Sequence, residues 1–205
     1  MNKYITGFML ILMLVVTGCG ARKIIQKYYL IEPPMERNLS GDTGKSIIDA
    51  GCEIVPVEVS PVFSTPRIAV RQKSHEIAFF QYHHWAVTPE EAITDFIEKE
   101  LDNAEIFRES GQVEWEITPE YQLFSNVNYL EYQEQGKTAR ARLQMSLQLK
   151  RTEDHQLISY HAFDRTEPLT ARSMNEYAET VSLILHQELQ VFFNHIKKKL
   201  HSESS

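Results

Sequence analysis

Two cysteines, Cys19 and Cys52, and eight histidines are the residues of this chain with the types needed for covalent or metal chemistry. A thiol nucleophile needs a base to activate it. No motif ties a histidine or carboxylate to Cys52, which reads as a small buried apolar residue beside Ile54. His75, His83 and His84 fall close together. Neighbours on a strand point to opposite faces, so His83 and His84 do not converge on one ion, and no metal site is expected. The chain holds neither a Gly-rich phosphate loop nor a Gly-x-Ser-x-Gly elbow. These absences weigh against an enzyme without closing the question, since distant residues can assemble a site. Arg140, Arg142 and Lys150 form a basic row, either the wet face of a strand or a docking face for an acidic partner or lipid headgroups. Phe79, Phe80, Tyr82 and Trp85 cluster in the same way, for packing under a helix or for contact with a protein or lipid.

The remaining cysteine sits in a more telling place. An apolar run from Ile5 to Val16 follows Lys3 and ends in Thr17-Gly18-Cys19. A membrane span needs roughly 20 apolar residues, so a run this short fits the apolar core of a secretory leader. The pattern resembles a bacterial lipobox, in which the cysteine after two small residues is acylated and becomes the new N-terminus. That resemblance implies a lipoprotein signal peptide over 1–18, a membrane tether over 19–27, and a covalent lipid on Cys19, palmitate among its acyl chains, as the only added group. Two or more acyl chains give stable anchoring where one does not. Gly20 stands where an aspartate would mark retention in the inner membrane. The expected location is therefore the outer membrane, facing the periplasm.

Composition agrees with one exported domain. The formal net charge is −7, and it becomes −8 once Lys3 leaves with the leader. A chain this acidic is a poor match for nucleic acid. With Cys19 acylated, Cys52 has no intrachain disulfide partner, and the domain must stand on its core.

The elements that would carry these residues follow from periodicity. Tyr28-Tyr29-Leu30-Ile31 is a short β-prone run stopped by Pro33-Pro34. Residues 35–50 read as a flexible loop, and Cys52 to Val59 as a strand near a sheet edge because of Pro56. Residues 67–82 read as a β-hairpin turning at Ser74-His75. Thr88-Pro89-Glu90-Glu91 begins a helix whose apolar stripe is Ile93, Phe96, Ile97 and Leu101 and which ends near Asn103. A three-stranded meander follows over 120–132, 138–150 and 156–166, with Tyr121, Leu123, Val127 and Tyr129 on one face of its first strand. Ser173-Met174-Asn175-Glu176 opens a long helix with Tyr177, Val181, Ile184, Leu185, Leu189, Phe192, Ile196 and Leu200 on its buried side. The order predicts an α+β two-layer sandwich: a mixed or antiparallel sheet containing the meander, covered on one face by two amphipathic helices, in a single periplasmic domain over 28–205.

In this order the landmarks resemble the ABC-type transport auxiliary lipoproteins, the group that includes the paraquat-inducible protein C lipoproteins. Tyr28-Tyr29-Leu30-Ile31-Glu32-Pro33 lies close after Cys19, and Pro61-Val62-Phe63-Ser64-Thr65-Pro66-Arg67-Ile68-Ala69-Val70-Arg71 matches a Pro-x-Tyr-Leu-x-Arg-Pro-x-Ile-Val-x-Arg stretch. Trp85-Ala86 precedes the acidic helix start, and a long helix closes the chain. Phe63-Ser64-Thr65 and Thr88-Pro89 depart from the family pattern. The resemblance implies a non-enzymatic subunit of an Mce-associated intermembrane lipid transport system. Its expected partners are the membrane, an Mce-domain protein, and the ABC permease and ATPase; phospholipid and a second copy of the chain stand as further candidates. The contact residues singled out are Pro61, Phe63, Pro66, Arg67, Arg71 and Trp85. Two alternatives stay open: a lipid carrier with a pocket beneath the helices lined by Phe96, Tyr129 and Phe192, and a structural lipoprotein of another envelope machine.

Overall fold

The computed structural model describes residues 25–34, 47–112 and 118–203. Cys19, the expected leader, most of the expected tether and most of the loop expected over 35–50 lie outside the described residues. Eleven elements are assigned among those described: β1 (Lys27–Tyr29), β2 (Ile48–Ile54), β3 (Glu58–Val59), β4 (Arg67–Lys73), β5 (Glu76–Trp85), α1 (Pro89–Ala104), β6 (Phe107–Gly111), β7 (Tyr121–Gln135), β8 (Thr138–Arg151), β9 (Leu157–Leu169) and α2 (Met174–Glu203). The fold is α+β, one large mixed sheet with two helices on one face.

β7 is the spine of the sheet. One edge pairs antiparallel with β8 along its whole length, and β8 pairs with β9. The other edge receives three parallel strands in succession: β2 at Tyr121–Leu123, β3 at Asn126–Val127 and β4 at Tyr132–Gln133. From there the sheet forks, β2 carrying β6 and β4 carrying β5 and then β1. The period of two in β8 explains its role, since Ala139, Ala141, Leu143, Met145, Leu147 and Leu149 are all buried under α2.

Both helices start where their caps dictate. Thr88 is extended, its Oγ1 accepts from the Glu91 amide at 3.4 Å, and Pro89 occupies the first turn. Glu105 ends α1 in the left-handed region at φ 50°. Thr88→Ala is expected to cost about 1 kcal/mol in a urea titration. In α2 Ser173 Oγ accepts from the Glu176 amide at 3.1 Å. The Glu176 carboxylate does not close a reciprocal box; it accepts from the Thr170 and Ala171 amides, at 2.6 Å each, and straps the preceding turn to the helix. All eight residues expected on the buried side of α2 are buried.

Four local features differ from the sequence expectation. β2 begins at Ile48, inside the segment expected to be loop, and lies one strand in from an edge, between β7 and β6. Pro56, which has no amide to donate, splits the expected 52–59 strand into β2 and β3. β6 was not expected; its sequence, Phe-Arg-Glu-Ser-Gly, carries no alternating pattern. Finally, a bulge between Val127 and Tyr129 turns Tyr129 to the face away from the helices and puts Leu130 and Tyr132 in the core.

Candidate functional site

The face of the sheet without helices gathers most of the residues singled out in the sequence. After β3 the chain turns, with the Phe63 amide donating to the Ser60 carbonyl, and the 61–66 loop folds onto this face. Phe63 is buried there, its ring centroid 5.9 Å from that of Tyr129. Pro61, Pro66 and Arg67 are exposed, and Arg67 lies over the Phe79 ring at 4.4 Å. Arg71 is committed inward. Its Nε donates to both Glu131 oxygens, at 2.9 and 2.8 Å.

Trp85 does not join them. It is 3 % exposed on the helix side, with its ring 5.6 Å from Tyr177, and its amide donates to the Pro66 carbonyl. Its part in the surface is indirect: it holds the end of the exposed loop against the core.

Glu131, which sequence reading missed, is the centre of the face. Its side chain is fully buried and accepts from Arg71, Arg142 and Gln133. Arg142 in turn grips Asp164 through Nε and Nη2, at 2.9 and 2.8 Å, and lies 4.0 Å over Tyr129. Burial would raise the Glu131 carboxyl, but the Arg71 and Gln133 hydrogen bonds outweigh it and hold the carboxyl below its ordinary value. The bond to Arg142 likewise holds Asp164 low, and Asp164 raises Arg142. Such a network fixes geometry; every acceptor is already engaged by a permanent cation, so it is not poised to move protons. Lys150 sits 4.8 Å over Phe124. Of the expected basic row, Arg140 alone makes no ion pair or ring contact among the described residues.

The thiol of Cys52 is buried and pushed far up by desolvation, an inert core position. His83 and His84 face apart, one against Tyr29 and the other against Tyr28. Phe96 and Phe192 are core residues at 1 % and 0 % exposure, with the sheet between them and Tyr129. The pocket expected from those three residues therefore does not form.

The sequence model of the ABC-type transport auxiliary lipoprotein components matches residues 29–190. The chain belongs to this family. The resemblance read from the landmarks is borne out, and membership makes the chain a transport auxiliary lipoprotein. Two solved structures carry the same fold as this auxiliary lipoprotein. A protein of Xanthomonas campestris, from the domain family DUF330, aligns with TM-score 0.66 at 14% identity over 87% of this chain and 98% of its own. An uncharacterized protein aligns with TM-score 0.65 at 10% identity over 84% and 99%. No curated protein matches at a significant level.

Proposed function

We propose that this auxiliary lipoprotein is a non-enzymatic docking subunit of an Mce-associated intermembrane lipid transport system, held at the periplasmic side of the outer membrane by acyl chains on Cys19. The family match over 29–190 carries the reading, since it covers nearly all of the domain. The order of the sequence supports the anchor: the apolar run closes on Gly18-Cys19, and β1 starts eight residues later at Lys27. Pro61, Pro66 and Arg67, presented on the rigid helix-free face, are the proposed contacts with the transporter, and Phe63 and Arg71 brace them from below. Two experiments test the proposal. Crosslinking of the tagged chain in intact envelopes is expected to recover an Mce-domain protein with its permease; recovery of other envelope machinery alone would overturn the docking role. Cys19→Ala is expected to release the chain from acyl-dependent attachment, read as loss of the lipid mass and of outer-membrane fractionation. Stable outer-membrane attachment of that variant would overturn the anchor.

A further inference from the structure

A cavity of about 650 Å³ opens where α2 begins, on the helix side of the sheet. Its floor is aromatic. Tyr29 of β1 stacks on His83 of β5, with ring centroids 5.7 Å apart. His83 meets Phe80 edge-on at 5.7 Å, and Phe80 meets Tyr132 of β7 edge-on at 5.5 Å. Four rings thus run in contact from the edge strand β1 to the spine of the sheet. Met174, the first residue of α2, closes the other side. The volume lies within the range of about 300–1,000 Å³ of small-molecule sites, which are lined by apolar and aromatic side chains with a few placed polar groups.

The free polar groups of this cavity are donors. Tyr132 is 3% exposed, and its hydroxyl has no hydrogen-bond partner among the described residues. The Tyr177 hydroxyl is sealed in the core, whereas that of Tyr132 keeps an opening to solvent, and the opening is the cavity it lines. The Tyr29 hydroxyl, by contrast, is taken by His83 Nδ1 at 2.8 Å. Met174 and Asn175 open α2, so their amides have no partner within the helix and present its positive end. Lys27 stands at the mouth, exposed and without an ion pair among the described residues. The other two charges of the lining, Arg172 and Glu134, pair with each other. The Glu176 carboxylate lies outside the lining, held by the Thr170 and Ala171 amides. Burial, with Lys27 and His84 beside it, lowers His83, which is neutral at neutral pH. The unmatched charge of the lining is therefore that of Lys27.

We propose that this cavity binds a compact aromatic carboxylate. The flat apolar body of such a ligand lies against Phe80 and His83, where ring–ring contact adds to the gain from burial. Its carboxylate accepts from the Tyr132 hydroxyl and from the first amides of α2, a position that favours an anion. Lys27 stands across the mouth from them and supplies the charge. One unmatched cation answers a single negative charge, which a carboxylate carries and a phosphate monoester exceeds. Without a ligand the Tyr132 hydroxyl has lost most of its water and gained no partner, so the acceptor that enters meets a donor already stripped of competitors. The cavity lies across the sheet from the exposed 61–66 loop, and its ligand is independent of the docking role proposed above.

The test is titration calorimetry of the full chain in a non-ionic detergent, with 2-naphthoate as the probe. Saturable binding of one 2-naphthoate per chain is expected. The uncharged 2-naphthamide keeps the rings and is expected to bind about tenfold more weakly, the difference made by a hydrogen bond to a charged group. Tyr132→Phe removes the hydroxyl alone. Its melting temperature is expected to match the wild type, because that hydroxyl has no partner to lose, while 2-naphthoate binds about tenfold more weakly. Lys27→Gln is expected to weaken binding about threefold, as for an exposed ion pair, and Lys150→Gln on the opposite face to leave it unchanged. Absence of saturable binding, equal affinity for 2-naphthamide, or unaltered affinity in both Tyr132→Phe and Lys27→Gln would overturn the proposal. Should Tyr132→Phe melt early, the Lys27→Gln titration decides alone, since Lys27 has no contact to lose among the described residues.

Discussion

Glu131→Ala is expected to destabilise the protein by about 3 kcal/mol. Removing one member of a buried ion pair costs about 3–5 kcal/mol because its partners are left without compensation. Here the lower end applies, since Arg71 and Arg142 are 20% and 21% exposed and water can solvate part of each guanidinium. A urea titration at neutral pH reads the loss directly. The pH dependence gives an independent check. The folded Glu131 carboxyl lies below its ordinary value, as does that of Asp164. The unfolded chain therefore binds protons first as pH falls. The stabilisation is fully present above the unfolded carboxylate range, roughly pH 4, and is lost as pH falls through the folded values. Glu131→Ala should flatten that acid limb. A variant that keeps the wild-type slope would show that other carboxylates carry it, among them Glu188, which Arg165 and His161 hold low against the opposing effect of burial.

Trp85→Ala is the second large effect, about 3–5 kcal/mol, as for other buried aromatic truncations. The residue belongs to a family landmark, and a sequence reading takes it for a contact. In the structure it fills the space between β5 and α2 against Tyr177. The expected result is a lower melting temperature with normal partner recovery per folded molecule. Loss of partner recovery at unchanged stability would return Trp85 to the interface.

What the sequence could reveal depended on how local the cause was. The strict alternation in β8, the stripe on α2 and the Thr88 and Ser173 starts are decided by neighbours in the chain, and each appears as expected. The helix-free face is decided by register. One extra residue in the bulge between Val127 and Tyr129 moves Tyr129 across the sheet, where it meets Phe63 and Arg142. Glu131 is brought to Arg71 from sixty residues away by the parallel pairing of β4 with β7. No periodicity records such a meeting. Pro61, Pro66 and Arg67 are legible as an exposed segment because prolines bound them, but their support by Trp85 needs the Pro66 hydrogen bond to be seen.

The three parallel pairings on one edge of β7 also set an order of events. β2, β3 and β4 precede β7 in the chain, as do β5 and β6. As synthesis proceeds from the N-terminus, the strands that emerge first can form only two separate groups, β1–β5–β4 and β2–β6, with no spine to join them. Only when residues 121–135 arrive, and fold back on β8 as a local hairpin, do those groups find a common edge. A chain cut short before that point has no partial version of this domain to fall back on, and its unpaired strand edges are the kind that aggregate. The unfinished chain thus keeps those edges open until residues 121–151 have appeared.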